Sequence, residues 1–176
     1  MDVVLIVTAI IAMQRLSELA VSKRHTAYAM ARGGIEHGRG HYWLFVVLHA
    51  GWLIGWNVEW ILGGRQLPDW WAWCAAIALL LQGLRYYVIR TLGVSWNTRI
   101  ITWPDMPIAD KGVFTLVKHP NYLVVAFELA ILPMMVNAWW TALIATILNA
   151  IILLGIRIPA EERALRDVRA SQASRD

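Results

Sequence analysis

The chain has 176 residues, 59% of them hydrophobic and only 16% charged, where a soluble domain carries about a quarter charged. That length allows one domain, 1–176, and that balance places it in the membrane class. The net charge of +4 does not point to nucleic acid, because the aromatics belong to apolar runs, and the one cysteine, Cys74, excludes an internal disulfide and a cysteine-rich zinc site.

Five apolar segments predict spanning helices over about Val3–Val21, Trp43–Leu62, Trp70–Ile89, Tyr122–Val136 and Trp139–Ile156. Several approach the ~20 residues that cross the hydrocarbon. Asn137-Ala138 leaves room only for a tight turn, so the last two segments read as a helical hairpin, with Pro133 kinking or ending its first arm. Tryptophans at segment ends (Trp43, Trp60, Trp70, Trp71, Trp139, Trp140) suit the headgroup zone.

Basic residues set the orientation. Lys23, Arg24, Arg32 and Arg39 follow the first segment; Arg90, Arg99, Lys111 and Lys118 follow the third; Arg157, Arg163, Arg166, Arg169 and Arg175 form the tail. Only Arg65 falls on the other side. The bias predicts an outer N-terminus and a cytoplasmic C-terminus. Arg32-Gly33-Gly34 and His37-Gly38-Arg39-Gly40 predict a flexible first inner loop.

Polar residues inside the segments gather toward that basic end. Gln14, Arg15 and Glu18 share a stripe of the first, Gln82 and Arg85 lie near the inner end of the third, Glu128 is about 10 Å into the fourth, and Asn149 is near the middle of the fifth. Ionisable groups at such depth face partners or a wet cavity. Two readings stand side by side: a clamp, with Glu18 paired to Arg85, and a polar functional chamber.

The loop from Thr91 to His119 is too long for a simple connector. It ends in Lys118-His119-Pro120-Asn121-Tyr122, where Pro120 suits a first helical turn whose free N–H groups would receive an anion beside Lys118 and His119. After the fifth segment, Pro159 predicts a break, and Glu161-Glu162 open a short helix. Those two carboxylates either match the helix dipole or receive a cationic amine or ribose hydroxyls. His37, His41 and His49 lack a carboxylate or thiol cluster that would complete a metal site, and read as loop and interfacial histidines.

The tract Leu92-Gly93-x-x-Trp96, Arg99, Gly112, Lys118-His119-Pro120-Asn121-Tyr122, followed by Arg157-x-x-x-Glu161-Glu162-x-x-Leu165, resembles the isoprenylcysteine carboxyl methyltransferase family over about Arg85 to Val168. The short length, Glu128 and the Asn149 to Arg157 spacing are similar to its small bacterial branch, associated with methylating alkylpyrone- or alkylresorcinol-type lipids. The resemblance implies S-adenosylmethionine as cofactor, held by His119, Pro120, Asn121, Tyr122, Glu161 and Glu162, with Gly112, Lys118 and Arg157 as supports. Gly112-Val113-Phe114 stands where the family has Gly-Pro-Tyr or Gly-Ile-Tyr, and Lys118 where it has Arg. These departures bear on carboxyl methylation of a prenylated protein more than on the cofactor.

The expected fold is all-α: an integral membrane bundle of about five transmembrane helices, in a bacterial inner membrane, with a cytoplasmic cofactor loop and a short C-terminal helix. Residues up to about 90 form the transmembrane scaffold; about 91–170 form the cofactor loop, hairpin and C-terminal segment. The expected reaction is O-methylation of a lipophilic small molecule bearing an enol, phenol or carboxylate. Arg85 or Arg99 would hold the acceptor oxygen, and Glu128 is a candidate base for an acceptor that arrives neutral. A prenylated cysteine acceptor is the second enzyme reading; a scaffold or transporter subunit is the non-enzyme reading. Gly51 and Gly55 form a G-x-x-x-G that packs helices within the chain or between chains of a homo-oligomer in contact with membrane lipids.

Overall fold

The computed structural model describes residues 3–109 and 111–174. Six helices carry the fold: α1 (Val3–Met30), α2 (Tyr42–Leu62), α3 (Trp71–Leu92), α4 (Pro120–Met134), α5 (Trp139–Ile152) and α6 (Ile158–Ala173). Four stretches are long and apolar enough to cross a membrane, Val3–Met30, Arg39–Leu62, Trp71–Ser95 and Trp139–Ala173. The fourth predicted span, α4, is shorter at 15 residues, and it forms the hairpin with α5. Arg175, counted above among the tail's basic residues, lies outside the described residues.

The chain is an all-α integral membrane bundle, and its departures from the sequence reading fall at the basic end. α1 continues nine residues past Val21, because Ser22, Thr26 and Ala29 of its last turns find a partner. That partner is the long loop: Ser22 Oγ lies 2.8 Å from Asn97 Oδ1 and from Thr98 Oγ1, and Asn97 Nδ2 donates to Thr26 Oγ1 at 2.9 Å. The glycine-containing loop between α1 and α2 is not simply flexible. Ile35–His37 (β1) pairs antiparallel with Ile100–Thr102 (β2), in register Ile35 to Thr102. β-branched residues favour that extended pairing, and Ile100 and Ile101 are buried by it, with Trp103 beside them.

Pro159 does not break the chain either. A π-helical turn over Leu153–Arg157 joins α5 to α6, and one wide turn absorbs the missing N–H and the ring clash that proline brings. The result is a helical run from Trp139 to Ala173.

The core at the opposite end is tryptophan-rich. Trp52, Trp56 and Trp60 repeat every four residues on α2, so one stripe turns all three inward, with the first two stacked at 5.1 Å. Trp60 is therefore a core residue rather than part of an interfacial belt. Trp43, Trp70, Trp71, Trp139 and Trp140 are exposed as a belt requires. Glu59 closes that end: its carboxylate accepts from the backbone N–H of Trp140 and Thr141 at 3.0 and 2.5 Å, capping α5 from a neighbouring helix. Gly55 lets α2 approach Thr141 so closely that a side-chain carbon there would fall 2.7 Å from its Oγ1. One arm of the G-x-x-x-G is thus spent within the chain.

Candidate functional site

Four charges meet in the half of the bundle toward the basic end. Arg85 donates from Nε to Glu18 Oε1 and from its second terminal nitrogen to Glu18 Oε2, both at 2.5 Å, and from its first to Glu128 Oε2 at 3.0 Å. Arg15 completes the ring, 2.7 Å from Glu128 and 3.1 Å from Glu18. Gln82 donates to Glu128 Oε1 at 2.9 Å and accepts from Gln14 at 2.6 Å. Two guanidiniums and two carboxylates leave no net charge. The Glu18–Arg85 clamp read from the sequence is present, and it is half of a larger ring. Glu128 is 1% exposed and both its oxygens are occupied by donors. Arg85 also lines a cavity.

Arg15, Glu18 and Arg85 of this ring border the larger of two cavities. The larger, about 400 Å³, is lined on its apolar side by Leu16 and Leu19 of α1, Val46 and Leu53 of α2, and Val125 of α4. Leu16, Leu19 and Val46 are also exposed on the outer surface of the helices, so this cavity opens sideways toward lipid. The smaller, about 140 Å³, lies under the long loop, between β2, the start of α4 and α6. Its rim, with exposed Pro107 and Lys118, is on the basic side. The two share one wall, made by Trp96, Asn97, Asn121, Tyr122 and Arg157.

That wall is rigidly held. Arg157 is 5% exposed; its Nε donates to Tyr122 Oη at 2.9 Å and a terminal nitrogen donates to the Thr98 carbonyl at 2.8 Å. Tyr122 in turn donates its hydroxyl proton to Glu161. His25 Nδ1 meets the Trp96 carbonyl at 2.7 Å, holding the loop to α1. Trp96 Nε1 and Asn121 Oδ1 are buried without a hydrogen-bond partner among the described residues. A buried unpaired polar atom costs about 1–3 kcal/mol, so an unpaired donor and an unpaired acceptor on the shared wall point to a ligand that satisfies them.

Of the residues singled out from sequence, Lys118, His119, Pro120, Asn121, Tyr122, Arg157 and Glu161 line the smaller cavity, and so does Arg99. Glu162 does not line it; it stands 3.4 Å behind His119, which stacks on Tyr122 at 5.5 Å. Arg99 is engaged by Glu36 of β1 at 2.9 Å and lies over the Tyr42 ring, which fixes it as a loop strut more than a free anion holder. The first turn of α4 offers fewer free N–H groups than the sequence suggested, because Tyr122 and Leu123 both donate back to the His119 carbonyl. Gly112 lines neither cavity. It turns the loop with φ +61°, and a side-chain carbon there would strike the Tyr87 hydroxyl. Gly112→Ala is expected to lower stability by about 1–2 kcal/mol, mainly from the left-handed backbone, read as a fall in the thermal midpoint in detergent.

Sequence reasoning missed Trp96 as a wall residue and misplaced His49. His37 bonds Thr102 and His41 starts α2, as loop and interfacial residues do. His49 instead lies two turns into α2 and lines the larger cavity. Its spacing from Tyr42, Phe45 and Val46 on one helical face was the available signal.

Residues 74–167, more than half of the chain, match the family described as the isoprenylcysteine carboxyl methyltransferase (ICMT) family. The chain is 35% identical over 159 residues to the uncharacterized protein YpbQ of Bacillus subtilis (strain 168), covering 90% of this chain and 94% of that protein. It is 28% identical over 152 residues to an uncharacterized protein of Haemophilus influenzae, covering 86% and 88%. No solved structure matches the chain significantly.

Proposed function

We propose, from the premise that this chain belongs to the isoprenylcysteine carboxyl methyltransferase family, that it transfers a methyl group from S-adenosylmethionine to an oxygen of a lipophilic acceptor. The observation that carries this reading is the shared wall. A smaller, more polar cavity on the basic side and a larger, apolar cavity open toward lipid meet at five residues. A polar donor and a greasy acceptor can then reach one point without sharing an entrance.

The smaller cavity suits the cofactor by its donor set. Glu161 suits ribose hydroxyls or the ammonium by its charge, and Lys118 and His119 suit the carboxylate. Trp96 Nε1 and Asn121 Oδ1 supply a free donor and a free acceptor. Bound there, S-adenosylmethionine supplies an electrophilic methyl group for in-line displacement. The chain's own contribution is to hold, align and keep out water. Arg157, Tyr122 and Glu161 fix the wall across which transfer runs, and Arg85 faces the acceptor from the charged ring. The basic end would face the cytoplasm of a bacterial inner membrane, where the cofactor is made. A prenylated cysteine carboxylate is the second acceptor class, favoured by the family's own description.

Calorimetric titration of detergent-purified protein with S-adenosylhomocysteine tests the reading. Binding is expected, weakened about tenfold by His119→Ala and by Glu162→Ala, since one loses a wall ring and the other the carboxylate that orients it. A folded wild type that binds nothing would overturn it.

A further inference from the structure

The larger cavity holds two hydrogen-bonding groups that the methyltransferase reading does not use. Asn149 on α5 is 1% exposed and lines the cavity, and among the described residues nothing bonds its amide oxygen or its amide nitrogen. An asparagine with both ends unpaired in an apolar setting is costly twice over. His49 is the other. Its Nδ1 lies 2.8 Å from the Phe45 carbonyl, which can only accept, so Nδ1 carries the proton. In the neutral ring Nε2 is then a bare lone pair, and no hydrogen bond reaches it from the described residues.

The two groups belong to one level of the bundle. α2 and α5 run antiparallel with Gly55 against Thr141, so two turns back along α2 and two turns on along α5 bring His49 and Asn149 to similar depth. Charged and titratable groups bordering this level are Arg15 and Glu18 from α1, Arg85 from α3, Tyr122 from α4 and Arg157 from the π turn, with Tyr42 on α2 itself; Glu128 stands behind Arg85. Arg15, Arg85, Glu18 and Glu128 neutralise one another, Tyr122 and Arg157 are bonded together, and Tyr42 Oη bonds Thr98. None of them supplies His49 with a proton partner.

We propose that His49 and Asn149 form the acceptor headgroup subsite, with His49 Nε2 as the base for a neutral, hydroxylated lipid that carries a second oxygen for Asn149. The inference rests on the methyltransferase reading and narrows its substrate class. A hydroxyl brings the proton that Nε2 lacks. A carboxylate brings only lone pairs, which Nε2 repels. In the step itself the acceptor O–H bond breaks and its proton passes to His49 Nε2. The oxygen forms a bond to the methyl carbon while the carbon–sulfur bond breaks, its electron pair staying on sulfur. The proton leaves His49 for solvent between turnovers.

The test uses the full chain in detergent with three probes of similar tail length: 5-pentadecylresorcinol, 3-pentadecylphenol and hexadecanoate. Binding is read by thermal shift without cofactor, and methyl transfer is read as a function of pH. The resorcinol is expected to bind about tenfold more tightly than the phenol, and hexadecanoate to be a poor acceptor. His49→Gln keeps an acceptor oxygen but no basic nitrogen. It should bind the resorcinol nearly as well and turn over at least about 100-fold more slowly. It should also lose the fall in rate that wild type shows as protonation of His49 at low pH removes the base. Asn149→Leu should erase the preference for the resorcinol, so that the two phenolic lipids bind alike, which keeps the proposal testable should the histidine variant misfold. Faster methylation of hexadecanoate, wild-type rates in His49→Gln, or no response to either phenolic lipid by protein that binds S-adenosylhomocysteine each overturn the proposal. Failure to bind S-adenosylhomocysteine at all removes the methyltransferase reading beneath it.

Discussion

Arg85→Met is expected to destabilise the bundle by about 3–5 kcal/mol, the cost of leaving buried partners of an ion pair uncompensated. Glu18 and Glu128 would then face each other with only Arg15 between them. The double replacement Arg85→Met with Glu18→Leu should recover a large part of that loss. It removes one charge of each sign and leaves Arg15 bonded to Glu128 at 2.7 Å. A double-mutant cycle on thermal or denaturant unfolding in detergent measures the coupling. If the double variant is no more stable than Arg85→Met alone, the ring does not act as a balanced unit. If Arg85→Met is harmless, the ring contributes nothing to the fold.

The second large effect belongs to Arg157. Arg157→Lys keeps the charge and discards the fork. An ammonium cannot hold Tyr122 Oη and the Thr98 carbonyl at 2.9 and 2.8 Å in two fixed directions. The shared wall would lose its tie between loop and α4, and a misplacement of about 1 Å at a transfer site costs on the order of 100-fold in rate. The expected result is a kcat lowered by that factor, with S-adenosylhomocysteine affinity changed less than about tenfold. Tyr122→Phe should show the same pattern more weakly, since Arg157 keeps its bond to the Thr98 carbonyl. A lysine variant with full activity would mean that the wall needs only a positive charge.

Much of the scaffold could be read in advance, because each span is a long apolar run and membrane crossing imposes that length. The Glu18–Arg85 pair was legible too, since two ionisable residues at similar depth have little else to bond. What escaped was set by contacts between distant segments. The extension of α1 past Val21 depends on Asn97 and Thr98, more than 70 residues away. The pairing of Ile35–His37 with Ile100–Thr102 has no strong local pattern in three-residue strands. The π turn before Pro159 inverts the usual reading of proline as a stop. Within the site, the Lys118 to Tyr122 and Arg157 to Glu162 tracts announced themselves as polar motifs beside apolar runs. His49 did not, because Tyr42, Phe45 and Val46, which share its face of α2 and its cavity, form no motif that names a chemistry.

The helical run from Trp139 to Ala173 has a thermodynamic consequence. It carries Asn149 in the larger cavity and Glu161 in the smaller one, so under the proposed function both ligands would lean on a single strut. Any stiffening that one ligand imposes on it is felt by the other, and linkage makes the exchange symmetrical. Whatever factor the acceptor adds to cofactor affinity, the cofactor must return to the acceptor, in whichever order the two arrive.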